Sequence, residues 1–395
     1  MERPVPGNDA EPRFRAELNA MLAAVAGPAT GQRRVRLLGA GEPDESIPRG
    51  RAVLAALAQH GLSTPDLSPD LGGAGLSGWQ CAILAETLSG LDIPDLYPFL
   101  VGLNLVSRVL AAHGTPRQQA RWLPGIQTGE EIWCQLFSEP GAGSDLAALS
   151  ARARPDGDDW LVSGQKTWTS RAHYAARGLL LARTNADVPK HEGITAFGLD
   201  MSTPGITLRP IRQMNGDEHF CEVFLDDVRV PDTDRIGPAD GGWQVARATL
   251  SAERGTFTER ALEVTPDQVV ELYRAVDRRD NPALRALAVE AWSQLTLTAL
   301  VARRVQAARL SGQTPGPEGS GGKLRAVSAY RAVAAFAAQA LGPDVMFEGE
   351  EWVTTIMTVP SMSIRGGTDE IQRNIIAERV LGLPRDNAKD LDVRR

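Results

Sequence analysis

The stretch Ile132-Trp133-Cys134-Gln135-Leu136-Phe137-Ser138-Glu139-Pro140-Gly141-Ala142-Gly143-Ser144-Asp145 decides the reading of this chain. Trp133 to Phe137 has strand character. Pro140 to Asp145 cannot continue it, because proline lacks an N–H and each glycine permits positive φ. Chain and ligand can therefore approach closely there, and Ser138, Ser144 and loose backbone N–H groups are donors suited to a phosphate or to the polar edge of a ring. A hairpin turn rich in turn formers would show the same glycines, so the stretch needs its context.

That context comes further along, in Gly164-Gln165-Lys166-Thr167-Trp168-Thr169-Ser170, a second strand-like piece ending in an aromatic followed by two hydroxyls. Two such edges can enclose one flat heterocycle. The run Phe137 to Asp145 followed by Gly164-Gln165-Lys166-x-Trp168-Thr169-Ser170 resembles the flavin-binding signatures of the acyl-CoA dehydrogenases. Gly366-Gly367-Thr368-Asp369-Glu370-Ile371-Gln372-Arg373-Asn374-Ile375-Ile376-Ala377-Glu378-Arg379 resembles that family's C-terminal signature. The three motifs stand in the family's order and span most of the chain from Leu71 onward.

Composition agrees with an enzyme of that size. A chain of 395 residues, 43% apolar and 23% charged, is globular and long enough for two or three domains. A net charge of −7 argues against a nucleic-acid binder. No uninterrupted apolar window approaches the ~18 residues that would span a bilayer. Met1 to Pro12 lacks the apolar segment of a secretory signal, so a soluble, cytoplasmic protein is expected. Cys81, Cys134 and Cys221 are too scattered for a disulfide framework, and His60, His113, His173, His191 and His219 show no metal-ligand spacing. No metal is expected.

In chain order, Phe14 to Val25 and Arg51 to His60 read as helices separated by a loop from Arg33 to Arg49. Leu67 to Gly78, rich in glycine, reads as a surface turn, since it lacks the strand and lysine of a phosphate loop. Trp79 to Leu91, Tyr97 to His113 and Pro116 to Leu123 carry apolar residues at helical spacing, the last capped by Thr115 and ended by Pro124-Gly125. Residues 1–132 are thus a helical domain. Residues 133–240 change to short strands separated by turns at Pro155-Asp156-Gly157, Thr203-Pro204-Gly205 and Asn215-Gly216-Asp217, which makes an all-β middle domain. Residues 241–395 return to helix, at Trp243 to Glu263, Pro266 to Asp277, Pro282 to Ser311, Lys323 to Leu341 and Asp369 to Leu381, with Gly312 to Gly322 as a flexible connection. The fold class is α+β multidomain: N-terminal helices, a middle domain that the resemblance makes a β-barrel, and a C-terminal four-helix bundle.

The resemblance implies FAD as cofactor. Backbone from Gln135 to Ser138, including Phe137, with Gly143 and Ser144, would line one side of the isoalloxazine; Trp168 would pack on the ring, Thr169 and Ser170 would bond its polar edge, and Thr368 and Glu370 would complete the site. Ser144 and Arg254 are expected on the substrate, an acyl thioester carried by CoA or by a carrier protein. Electrons would pass to an acceptor like the electron-transfer flavoprotein. The family removes the substrate's α-proton with a carboxylate, and in many members this glutamate stands immediately before the Gly-Thr of the C-terminal signature. Here that position is Gly366, which either removes catalysis or relocates the base.

Some family members place the glutamate on a C-terminal-domain helix directly before an arginine, and this chain offers Ala252-Glu253-Arg254. Trp243, Ala246, Leu250, Glu253 and Phe257 share one stripe at helical spacing, which would set a carboxylate among apolar residues. Desolvation there would raise its pKa and improve it as a base, whereas an ion pair with Arg247, Arg254 or Arg260 is the structural alternative. The Gly366 N–H remains available to the substrate carbonyl. The segments through which a neighbouring family subunit reaches the adenine end of the flavin read Leu272 to Asn281 and Gln339-Ala340-Leu341-Gly342-Pro343 here and match poorly. A homo- or hetero-oligomer is expected, and Gly316 to Ser320 with Ile371 to Pro384 resemble the actinobacterial branch of mixed tetramers. Trans-2-enoyl thioester formation is the expected reaction; a flavin oxidase or monooxygenase of the same fold, or a non-catalytic subunit of a hetero-oligomer, are the alternatives.

Overall fold

The structure, a computed structural model, describes residues 10–28, 46–260, 264–276, 280–310, 316, 319–347 and 351–384. Of the side chains at 251, 253–260, 306, 309 and 310 nothing is described. The chain divides after Glu253 into two compact units.

The first unit opens with helices α1 (Ala10–Leu22), α2 (Ser46–Ala58) and α3 (Gly78–Ser89). A short π-helical stretch at Val101–Val106 leads into α4 (Ser107–His113), and α5 (Pro116–Thr128) follows. Phe14, Leu18 and Leu22 of α1 are four residues apart and all buried, as an inward helical stripe requires. Thr115 caps α5 reciprocally with Gln118, the threonine hydroxyl accepting the Gln118 N–H while the glutamine amide oxygen accepts the Thr115 N–H. Contrary to the sequence reading, α5 does not end at Pro124. It continues to Thr128 because Trp122, Leu123 and Ile126 are buried on one face, and it stops at Gly129, whose φ of 75° only glycine adopts without strain. Ser46 to Arg49, read as loop, forms the start of α2 with Pro48 in its first turn.

Eight strands follow: β1 (Trp133–Leu136), β2 (Arg152–Asp156), β3 (Asp159–Ser170), β4 (Arg177–Arg183), β5 (Ile194–Asp200), β6 (Ile206–Ile211), β7 (Phe220–Pro231) and β8 (Arg235–Ile236). They build one sheet in the order β6-β7-β3-β2-β4-β5-β8, with β1 pairing parallel to β4. The strand-like piece from Gly164 to Ser170 is the C-terminal part of a longer strand, β3. β4 shows why its Leu179-Leu180-Leu181-Ala182 run is uninterrupted: Leu179 and Leu181 join the core of the N-terminal helices, while Leu180 and Ala182 join the sheet's other core with Phe197, Val223 and Val230. Alternating side chains meet apolar layers on both faces. Trp122 of α5 rests edge-on against Trp133 of β1 with ring centroids 5.4 Å apart, so helices and sheet share that first core.

Helix α6 (Gly242–Arg260) begins in the first unit. The second unit contains α7 (Pro266–Ala275), α8 (Pro282–Leu310), α9 (Gly319–Leu341), α10 (Glu351–Met362) and α11 (Asp369–Arg379). Leu284, Ala288, Ala291 and Leu295 of α8 pack with Val269 of α7, Val327, Tyr330 and Phe336 of α9, and Val359 and Met362 of α10. α10 was not anticipated. Its Val353-Thr354-Thr355-Ile356 run and interior Pro360 argue against a helix locally, and burial of Val353, Thr355 and Val359 outweighs that. Gly319 to Gly322, read as part of a flexible connection, is the first turn of α9; of that connection, 312–315, 317 and 318 lie outside the described residues, as does Ser311, read as the end of the preceding helix.

Candidate active site

β1 delivers the chain to Phe137 and Ser138. Glu139 and Ala142 exchange N–H···O=C bonds of 3.1 and 3.0 Å, closing a two-residue turn over Pro140-Gly141. A Cβ added at Gly141 or Gly143 would meet nothing within 4 Å, so the protein's own packing does not require glycine at either position. Ser144 is exposed beside them. Phe137 is 3% exposed and packs in the helical core, leaving its backbone rather than its ring for a ligand. Gln135 is half-buried within β1, paired to Leu179.

Glu139 and Lys166 received no role in the sequence reading, yet they organise this corner. The Lys166 ammonium is fully buried, 2.7 Å from Glu139 Oε1, and donates to the Phe137 carbonyl at 3.2 Å. Glu139 Oε2 accepts the Ser150 N–H at 2.6 Å and the Ser150 hydroxyl at 2.8 Å, and Oε1 accepts the Ala151 N–H at 3.0 Å. The loop from Glu139 to Ala151 is thereby closed on one carboxylate. Burial pushes the Glu139 carboxyl up, but the charge and hydrogen bond of Lys166 and the two amides outweigh it, so the group sits below its ordinary value and stays ionised. Burial is the dominant influence on Lys166 and lowers it to about 8, against the opposing pull of Glu139. Removing one member of a buried pair of this kind costs ~3–5 kcal/mol. The sequence signal was a lysine two residues before a motif tryptophan and a glutamate between Ser138 and the Pro140-Gly141 turn.

The far end of β3 is irregular. Its register against β7 shifts between Lys166 and Thr169, and Trp168 takes φ 56° and Arg171 φ 55°. A bulky side chain in the left-handed region is an outlier held by its surroundings, and such strain gathers where ligands are clamped. Trp168 is 58% exposed, touching the Phe220 ring edge-on at 5.8 Å. Thr169 beside it is 1% exposed, and its hydroxyl has no protein partner. Ser170 is half-buried. The Thr167 N–H donates to the Ser138 carbonyl at 2.9 Å, so the structure brings the two motifs together. A large exposed ring, an orphaned buried hydroxyl and two glycines facing open space fit a planar, polar-edged cofactor such as FAD.

α6 is anchored where it starts. Asp240 (φ 62°) donates its N–H to the Thr195 hydroxyl at 2.8 Å and accepts from the Thr184 hydroxyl, and a Cβ at Gly242 would lie 2.7 Å from the Thr195 backbone. Ala246 is buried in the first unit's core with Trp243 and Leu250 packed against it. Glu253 follows Leu250 by three residues, on the same stripe by helical spacing. The side chains of Glu253, Arg254, Phe257 and Arg260 lie outside the described residues.

In the second unit, Gly366 and Gly367 take φ 62° and 85°. The Gln372 amide donates to the Gly366 carbonyl at 3.1 Å, and the buried Lys323 ammonium donates to the Gly367 carbonyl. A glutamate at position 366 would have to adopt a left-handed backbone, which the local geometry reserves for glycine. The Thr368 hydroxyl accepts the Ile371 N–H at 3.2 Å and caps α11. Glu370 is exposed in the first turn of α11, held below its ordinary value chiefly by its own backbone amide and by the Thr368 hydroxyl. Arg331 reaches Asp369 at 3.1 Å and Ser363 at 2.6 Å, bracing the same turn.

Three family descriptions match the chain consecutively: the acyl-CoA dehydrogenase N-terminal domain over residues 33–130, the middle domain over 134–228 and the C-terminal domain over 240–381. The chain belongs to the acyl-CoA dehydrogenase family, whose members are FAD flavoproteins, and is an oxidoreductase. Among its relatives, acyl-CoA dehydrogenase IpdE1 of Mycobacterium tuberculosis is 38% identical over 88% of this chain and 91% of its own length. Acyl-CoA dehydrogenase FadE34 of the same organism is 40% identical over 84% of this chain, which spans 46% of that longer protein. A solved structure described as Tcur3481-Tcur3483 steroid ACAD superposes with a TM-score of 0.75 at 27% identity, over 97% of this chain and 100% of that one. Among the described residues no helix is long and apolar enough to cross a membrane.

Proposed function

We propose that this protein dehydrogenates the α,β bond of an acyl-CoA whose acyl group is steroid-derived, forming the trans-2-enoyl thioester and passing electrons to an acceptor of the electron-transfer flavoprotein kind in the cytoplasm. The observation that supports it most is the tied pair of edges, Ser138 against Thr167 with Trp168 and Thr169 beyond, in a chain of this family. The steroid class is supported by the likeness to a steroid ACAD.

In this reading FAD, when bound, accepts the hydride that leaves the β-carbon. Backbone at Gln135, Phe137 and Ser138, the Gly143-Ser144 turn, and the side chains of Trp168, Thr169 and Ser170 hold and shield it from water, with Thr368 and Glu370 contributing further polar groups. Glu253 takes the α-proton. Its partner in charge terms is the thioester oxygen, which gains negative character as the proton leaves and takes a hydrogen bond from the Gly366 N–H. Arg254 and Ser144 hold the polar part of the thioester.

The test is anaerobic mixing of the purified yellow protein with a panel of straight-chain, branched and steroid-derived acyl-CoA and carrier-protein thioesters. Bleaching of the flavin by steroid-derived acyl-CoA, with turnover once an artificial acceptor is added, is the expected outcome. Rapid reoxidation of the bleached protein by oxygen would replace the dehydrogenase with an oxidase. A preparation that binds no FAD would replace it with a non-catalytic subunit, the reading that Gly366 at the usual base position favours.

A further inference from the structure

Among the buried charged groups of the first unit, one pair serves no step of the chemistry above. Lys166 and Glu139 are 0% and 3% exposed at their side chains, on different elements, and 2.7 Å apart. A charged pair buried this deeply is seldom the most stable filling of a core, since apolar residues of similar volume often do as well or better. Its geometry points to another use.

The ammonium of Lys166 makes two bonds that straddle Ser138: one to the carbonyl of the residue before it, Phe137, and one to the carboxylate of the residue after it, Glu139. Ser138's own carbonyl accepts from Thr167, the residue following the lysine. Ser138 is thus fixed from three sides by two consecutive residues of β3. The next two residues of that strand are Trp168, in its left-handed conformation, and Thr169, with its orphaned hydroxyl. The same carboxylate reaches on to Ser150 and Ala151 and so fixes the other end of the loop that carries Gly143 and Ser144.

We propose that Lys166 and Glu139 are positioning residues that set the distance between the two edges of the flavin site, the Ser138–Ser144 loop and the Trp168–Ser170 strand end, and thereby determine how tightly and in what environment the isoalloxazine ring is held. The inference rests on the flavin reading of those edges. Lys166 is well placed for this, because its amine ties β3 to Phe137 and Glu139 while the adjacent Thr167 N–H ties the same strand to Ser138, immediately before the register shift that carries Trp168 and Thr169. A neutral hydrogen-bonded pair would hold the loop less firmly, since charge-assisted bonds are shorter and stronger.

The test uses the full chain carrying Lys166→Met, Glu139→Gln or, as a marker of the flavin site, Thr169→Val. Each is stripped of flavin, checked by far-ultraviolet circular dichroism and thermal melting, and titrated with FAD. The dissociation constant is read from flavin fluorescence, and the visible absorption spectrum and midpoint potential are recorded on the reconstituted protein. Expected results are a dissociation constant raised tenfold or more in Lys166→Met and several-fold in Glu139→Gln, which keeps shape and an acceptor oxygen. Both should shift the visible band and the midpoint potential, because the ring sits in an altered surround. A merely structural pair would lower the melting temperature and leave spectrum and potential where they are. Should Lys166→Met fail to fold, Glu139→Gln decides alone. Wild-type affinity, spectrum and potential in the folded variants, with Thr169→Val weakened, would overturn the inference and leave the flavin reading standing. If Thr169→Val also binds FAD as the wild type does, the flavin reading of these edges falls with it.

Discussion

Lys166 has a pH signature that can be worked out in sign. Its folded value, about 8, lies below the 10.5 of a free lysine, so between these values the unfolded chain binds more protons than the folded one. Stability therefore rises with pH across that window, and below it the cost of burying the ammonium is fully present. Glu139 behaves oppositely: its value is depressed, so its contribution is complete above the ordinary carboxylate value and is lost as pH falls through the folded one. Burial lowers the Arg183 guanidinium from its ordinary value, and the charge of Glu139 opposes that. The alkaline effect is isolated by comparing flavin-free wild type with Lys166→Met in denaturant melts from pH 7 to 11. Wild-type stability should gain on the variant's between about 8 and 10.5, and parallel curves would contradict the assignment. At Glu253, Glu253→Gln keeps shape while removing the proton acceptor, so FAD content and thioester binding should persist as flavin reduction slows by ~10²–10⁴. Undiminished bleaching by substrate would remove Glu253 as the base. How legible these residues were differs. Trp168 and Thr169 stood out because an aromatic followed by hydroxyls at a strand end has few structural uses, whereas Lys166 looked like any polar strand residue. Alternation along a strand says which face a lysine occupies, and only the fold says whether a carboxylate waits there.

The elements repeat that contrast between local and tertiary signals. The cap of α5 was legible because Thr115-Pro116 with Gln118 satisfies the first-turn N–H groups within four residues of chain. Its true end was not. Pro124 is a local stop signal, and the helix passes through it because Trp122 and Ile126 gain more from burial than the missing hydrogen bond costs. α10 was hidden for the same reason, since β-branched residues and Pro360 outweigh its apolar pattern in any purely local reading. Two changes should separate these contributions. Thr115→Ala should lower stability by about 1 kcal/mol through the lost cap. Gly129→Ala should cost more, about 1–3 kcal/mol, because the residue keeps a positive φ and its methyl group would stand 2.9 Å from Leu54 and 3.1 Å from Phe99. Chemical denaturation monitored by circular dichroism reads both, and a Gly129→Ala protein as stable as Thr115→Ala would show that the turn can relax.

At the scale of the whole molecule the question is what covers α8. Its inward residues, Leu284, Ala288, Ala291 and Leu295, account for one face. Val289, Trp292 and Leu300 recur at helical spacing on another and remain 58%, 43% and 51% exposed. A tryptophan among exposed aliphatic residues is the usual composition of an interface centre and an uncommon one for solvated surface. The occupant we expect is a second chain of this family, since the segments through which a neighbouring family subunit would reach the adenine end of the flavin, Leu272 to Asn281 and Gln339 to Pro343, match poorly here and leave that end to be held differently. Light scattering of the flavin-loaded protein should give at least twice the mass of one chain. Trp292→Glu places a charge at the centre of the stripe, where it would be desolvated without a partner on assembly, so it should shift the protein towards single chains while leaving helix content unchanged. Co-expression with candidate family chains then distinguishes self-assembly from a mixed complex: a mixed complex would appear as a stoichiometric second band that Trp292→Glu abolishes. A wild-type chain that stays monomeric and turns over acyl-CoA at full rate would refute the assembly, and the exposed stripe would then need another explanation.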